Sequence, residues 1–237
     1  MRPELYLKVR AWMLANDPDA AEILQWSQQD LRPPENPQDL AHEVIWIILC
    51  AGRSAQAART IEAKVRKALD AGTPVVEAFG YRAKAAAIER AWAERAQDFA
   101  AMQAVLATSN AEAFVQWCGS IPFVGDDTKY QLAKNFGIQT VKPDIHVCRL
   151  AGMPDKPRLP TRERFARCLA LGLHLAQASG DSVASVDSLI WLACNKGVLR
   201  VTFDPHEIHF TPLVPKARSI YAAAGEGETQ MPLDGMA

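Results

Sequence analysis

The sequence predicts an all-α protein, and three observations carry that reading. Nearly every periodic stretch repeats its apolar residues at intervals of three and four, the spacing that lines up one face of a helix. The breaks between those stretches fall at proline and glycine clusters. The one candidate for extended chain, Val198 to Phe203, is too isolated to make a sheet.

Taken in order, Tyr6, Val9, Trp12 and Met13 mark a first helix, and Ile23, Leu24 and Trp26 a second after Asp17-Pro18-Asp19. Pro33-Pro34 and Pro37 form a break. Val44 to Cys50 is apolar on every side, the mark of a central core helix. Gly52-Arg53-Ser54 interrupts it, and Ala55 to Leu69 continues as an amphipathic helix. Gly72-Thr73-Pro74 breaks the chain again. An Ala-rich helical region then runs from Tyr81 to about Ser109, and Asn110 caps a short helix with Phe114, Val115 and Trp117. The segment from Met153 to Pro160 reads as a linker, Thr161 to Ala178 and Ser182 to Cys194 as the last helices. Residues 216–237, rich in Gly, Glu and Ala, read as a disordered tail.

The composition limits the function classes. A chain of 237 residues that is 49% hydrophobic and 22% charged can bury one large core or two close lobes. The net charge of −1 argues against bulk electrostatic coating of nucleic acid, while leaving room for a local basic face. Five scattered cysteines without a C-x-x-C fit buried thiols in a reducing compartment. No signal-like leader or bilayer-length apolar run is present, so the expectation is a cytoplasmic protein, or a nuclear one in a eukaryote.

The most unusual stretch is IPFVGDDTKYQLAKNFGIQTVKPDIHVCRL, from Ile121 to Leu150. Ile121-Pro122-Phe123-Val124-Gly125 is a tight joint between two helices. Asp126, Asp127 and Thr128 start the second of them and Gly137 stops it. A glycine turn feeding a helix start offers backbone N–H groups to a phosphate. Pro143-Asp144 then opens a further helix. Locally, Asp144 is an ideal N-cap.

These residues carry a resemblance. IPFVGDDTKYQLA resembles the hairpin element of the helix-hairpin-helix DNA glycosylases, the superfamily of endonuclease III and the 3-methyladenine DNA glycosylases. PDIHVCRL is similar to that family's Asp-x-His-apolar-x-Arg-apolar segment. EVIWIILCAGRSAQAA resembles its buried helix and DNA-facing turn, and FGYRAKAAAI its Gly-aromatic-x-x-Lys-Ala-x-x-Ile segment. The four matches occur in order between His42 and Leu150. The resemblance implies a two-lobed all-α architecture: a central lobe over residues 40–142, and a second lobe from residues 1–39 and 143–215.

The resemblance also implies roles. Asp144 takes the place of the catalytic aspartate, a carboxylate that stabilises an oxocarbenium-like sugar and activates water. Phe123, Val124, Gly125, Asp127, Thr128 and Lys129 would meet DNA at the hairpin, and Arg53 and Ser54 at the turn that enters the duplex. Trp46, Trp117, Tyr130 and Trp191 are candidates for the pocket of a flipped base. The carbonyls of Gly119, Ile121 and Val124 match positions where some family hairpins hold a monovalent cation. No cofactor is implied, and the partner would be double-stranded DNA with a modified base, met by a monomer.

Three departures from the family pattern matter. Asp127 stands where the bifunctional branch has its lysine nucleophile, and Lys129 lies about 200° further round the helix. That points to a monofunctional, water-using glycosylase. Phe123 replaces the first glycine of the hairpin. The pair Asp126-Asp127 would repel a phosphate unless the carboxylates fold back as caps, with Lys129, Lys134 and Lys142 as compensating phosphate contacts. His146 reads as a structural hydrogen-bonder, and His206 and His209 as part of a surface loop rather than metal ligands. The competing readings are a non-catalytic, structure-specific DNA-binding module on the same scaffold and a helical protein-interaction domain.

Overall fold

The computed structural model describes residues 1–154 and 159–212. The tail expected over residues 216–237 lies outside them, as does most of the expected linker. The described chain holds twelve α-helices, one π-helical turn and one two-stranded hairpin.

The buried side chains form two clusters. The first runs from Leu40 to Phe136 and is organised around α3 (Pro37–Cys50). Leu40, Val44, Ile45, Ile48 and Leu49 are all within 1% of full burial, which explains why this helix is apolar all round. It packs against α4 (Ala55–Ala71), α6 (Arg82–Ala93), α7 (Arg95–Leu106) and α9 (Thr128–Asn135). Two further helices, α5 (Val75–Phe79) and α8 (Ala111–Ser120), complete this body. The Ala-rich stretch expected as one helical region is two helices, broken at Glu94 without proline or glycine. Arg90 spans the break, paired with Glu94 at 2.8 Å and with Asp98 at 2.6 Å.

The second cluster joins the two ends of the chain. It draws on α1 (Pro3–Asn16), α2 (Pro18–Gln25), α10 (Ile145–Leu150), α11 (Thr161–Ser179) and α12 (Val183–Asn195). A π-turn at Trp26–Asp30 extends α2. Polar ties accompany the apolar ones. Asp181 accepts from Tyr6 at 2.9 Å and from Arg10 at 2.8 Å, and Lys196 reaches Asp17 at 2.7 Å and Asp19 at 2.6 Å.

One element departs from expectation. Leu199–Thr202 (β1) pairs antiparallel with Glu207–Phe210 (β2), so the extended segment does make a small sheet, and His209 lies in a strand rather than a loop. Phe210 anchors the hairpin by packing edge-on against Trp12, with centroids 6.1 Å apart. His206 bonds the Arg149 carbonyl at 3.1 Å and His209 the Thr202 hydroxyl at 3.0 Å. Among the described residues, no group of three or more His, Cys, Asp or Glu is placed to hold a metal ion, and no helix is long and apolar enough to cross a membrane.

Candidate active site

Pro143 and Asp144 set the start of α10. Proline disfavours helical backbone at Lys142 before it, and Asp144, as the N-cap, delays the helix to Ile145. Asp144 is extended, with ψ 176°. Its Oδ1 accepts from the backbone N–H of His146 at 2.9 Å and of Val147 at 3.1 Å. One carboxylate oxygen is therefore committed to capping, while Oδ2 has no hydrogen-bond partner among the described residues. Capping and an available oxygen coexist in one side chain.

The loop leading into Asp144 is fixed from behind. The Lys142 N–H donates to Asp187 at 3.3 Å, and Asp187 is bound by the Lys134 ammonium at 2.5 Å. Both side chains are at most 4% exposed. Burial pushes the Asp187 carboxyl up, the Lys134 charge opposes that, and the nearby Asp144 charge adds to it. Gly172 in α11 allows the same loop to come close: a Cβ there would lie 2.7 Å from Val141 Cγ1. Behind α10, Cys148 donates to the Pro143 carbonyl at 3.3 Å and lies 3.7 Å from Cys168.

The hairpin between α8 and α9 is closed by local hydrogen bonds. The Val124 N–H closes on the Ile121 carbonyl at 3.0 Å, and Gly125 accepts from the Lys129 N–H and the Thr128 hydroxyl. Of the three carbonyls considered for a cation, that of Ile121 is thus already an acceptor, while Gly119 lies in the last turn of α8. Gly119 has a different use, for a Cβ there would stand 3.1 Å from Cδ of Lys129. The lysine stem lies across it, and its ammonium sits 3.4 Å from Asp126. Phe123 adopts φ +65° with 43% of its surface exposed.

Two expectations need correction here. The Asp127 side chain does not fold back as a cap. It pairs with Arg164 of α11 at 2.9 Å, a guanidinium that also donates to the Pro143 carbonyl at 3.0 Å. Lys134 is not a phosphate contact, because its ammonium is consumed by the buried pair with Asp187. Its place on the buried face of α9 decides this.

A cleft of about 700 Å³ opens between the hairpin and the start of α11, lined by Ala51, Phe123, Asp127, Thr128, Thr161 and Arg164 among others. Ala51 belongs to the α3–α4 turn, which Lys84 fixes by donating to the Ile48 carbonyl at 2.8 Å and the Ala51 carbonyl at 2.7 Å. Ser54 caps α4, and Arg53 lies 4.9 Å over Phe79. The four pocket candidates do not gather at this cleft. Trp46 carries the Arg59 guanidinium over its ring at 5.4 Å, and Trp117 packs on Phe114. Tyr130 stacks on Phe165 at 4.1 Å, and Trp191 packs against the second cluster. Each is used in packing.

No protein-family model matches the sequence, and no curated protein matches it either. Among solved structures, the chain is similar to an 8-oxoguanine DNA glycosylase of Methanocaldococcus jannaschii. The TM-score is 0.60 at 15% identity, over 82% of this chain and 94% of that one. The fold is that of a DNA glycosylase. Within that glycosylase fold, two buried charged residues lie outside the sequence expectations: Arg164 and Asp187. Arg164 shares an i, i+4, i+8 stripe with Cys168 and Gly172, all buried. Asp187 is an acid in the stretch of α12 buried from Val183 to Ile190, which also holds Ser185 and Ser188. Of the two, the acid among buried positions of α12 is the readable sign of a buried ion pair.

Proposed function

We propose that this protein is a monofunctional DNA glycosylase that flips a modified base out of duplex DNA and hydrolyses its N-glycosidic bond. The observation that carries the reading is the Asp144 carboxylate. One oxygen is held by two amides at the start of α10, and the other is left to face a sugar or a water. A fixed negative charge beside an oxocarbenium-like centre lowers the barrier, and the same oxygen can take a proton from the attacking water. The glycosylase fold supports a DNA substrate, and the proposed enzyme meets it as a monomer.

Asp127 supports hydrolysis over strand cleavage. A carboxylate at that position forms no Schiff base, and Lys129 is drawn away toward Asp126. Alkylated purines are the first substrate class, because a cationic base leaves readily and requires modest catalysis. The solved neighbour is an 8-oxoguanine enzyme, so that lesion belongs in the same panel.

The test is base release from duplexes carrying alkylated or oxidised purines, read by mass spectrometry with and without alkali. Free base without strand scission, and no borohydride-trapped adduct, is the expected result. Asp144→Asn isolates the charge, since asparagine caps a helix as well as aspartate does. The variant should fold normally and lose at least 100-fold in rate; undiminished release would remove Asp144 from the chemistry.

A further inference from the structure

We propose that Phe123 is a base-stacking residue, so that the tip of this hairpin meets an unstacked nucleobase rather than the phosphate backbone. The inference rests on the DNA reading above and deepens it.

Phe123 combines two costs that packing does not explain. Its φ of +65° is the left-handed region, where a side chain bearing a Cβ is strained and glycine is not. Its ring is 43% exposed, so little burial compensates. Residues kept in such a state concentrate where a ligand is met. The ring stands on the rim of the 700 Å³ cleft, ample for a purine, together with Thr128, Thr161 and the Asp127–Arg164 pair.

The surrounding charge chooses the occupant. The Asp126 side chain lines the same cleft and is 75% exposed, with the Lys129 ammonium 3.4 Å away. A phosphate approaching the tip would meet that carboxylate. A base would not, because amino groups on nucleobase edges donate to carboxylates, and every base offers a π-face to an aromatic ring. Phenylalanine at the glycine position therefore exchanges backbone grip for stacking.

The experiment compares full-length wild type with Phe123→Gly, Phe123→Leu and Phe123→Trp. Binding is measured by anisotropy at one fixed salt concentration, on an intact duplex and on the same duplex with one unpaired 2-aminopurine. Wild type and Phe123→Trp should favour the unpaired site and quench its fluorescence. Phe123→Gly should bind that site roughly 5- to 100-fold more weakly, with binding to the intact duplex unchanged or tighter. Phe123→Leu should quench little. The melting temperature of Phe123→Gly should hold or rise, because glycine relieves the positive φ. A glycine variant that discriminates and quenches like wild type overturns this proposal alone. A glycine variant that melts well below wild type and loses both duplexes equally also overturns it, in favour of a packing role. Wild type that binds neither duplex overturns it together with the DNA reading.

Discussion

The Arg164 guanidinium is shared between Asp127 of the hairpin, at 2.9 Å, and the carbonyl of Pro143, at 3.0 Å, the residue immediately before Asp144. One cation therefore ties α9, α11 and the start of α10 together. It also explains how an acid is tolerated at position 127, because its negative charge is matched within the fold by the Arg164 guanidinium.

Asp127→Lys should consequently fail to convert the protein into a lyase. The new ammonium would face a guanidinium that is 10% exposed, and stability should fall by about 2 kcal/mol or more. The loss is smaller than for a fully buried pair, because Asp127 is 26% exposed. Urea denaturation of the single variants and of Asp127→Lys with Arg164→Asp completes a double-mutant cycle. The exchanged pair should recover most of the loss. A stable Asp127→Lys variant would show that the pair contributes nothing.

The Lys134–Asp187 pair makes a sharper pH prediction. Lys134→Met leaves a buried carboxyl without its cation and should cost about 3 kcal/mol or more near pH 7. Burial already holds the Asp187 carboxyl above its usual range, so the folded state binds that proton more tightly than the unfolded chain does. Removing Lys134 raises it further. Stability is then lost as pH rises through the folded value and regained on acidification. Chemical denaturation at pH 7 and pH 4.5 should show the gap to wild type narrowing at the lower pH. Adding Asp187→Leu should restore stability at both.

What the sequence disclosed follows from how local each feature is. The Pro-Asp start of α10, the caps at Asn110 and Ser182, and the apolar run of α3 are each legible within a few residues. The break at Glu94 was hidden because helix-favouring residues continue through it and the ion pairs spanning it are tertiary. The β1–β2 hairpin was hidden because two four-residue strands give too few alternations to count. Arg164 lies within six residues of Arg162 and Arg167, and local sequence alone does not say which arginine turns inward. The cleft was the least legible part. Trp46, Trp117, Tyr130 and Trp191 do not line the 700 Å³ cleft, which is walled by a hairpin tip, a helix turn and the start of α11, segments distant in sequence.

Gly172 gives a prediction about positioning at a distance. In Gly172→Ala the added methyl would meet Val141 Cγ1 at 2.7 Å and Val183 Cγ1 at 3.3 Å. The helix gains propensity from alanine, roughly 1 kcal/mol, but the overlap costs about 1–3 kcal/mol. The loop carrying Pro143 and Asp144 should yield first, since α11 and α12 are held by the core. The expected result is a modest drop in stability with a larger fall in base release. Hydrogen exchange should localise the change to residues 138–147. Unchanged exchange there would mean that the overlap is absorbed by Val183.

Glu43 offers a test well away from Asp144. Its carboxyl is held above the usual range, chiefly by burial, with the Asn135 amide 3.2 Å away pulling the other way. The folded state therefore carries a cost for ionising it that the unfolded chain does not. Below the ordinary carboxylate value both states are protonated, and Glu43→Gln should match wild type. As pH rises through the folded value the wild type loses stability, while the glutamine variant does not. Glutamine also keeps a carbonyl for the Asn135 amide. Melting temperatures at pH 4 and pH 7.5 should coincide at the first and favour Glu43→Gln by several degrees at the second. A variant less stable than wild type at pH 7.5 would mean that the ionised carboxylate is stabilised by the neighbouring Arg66 instead.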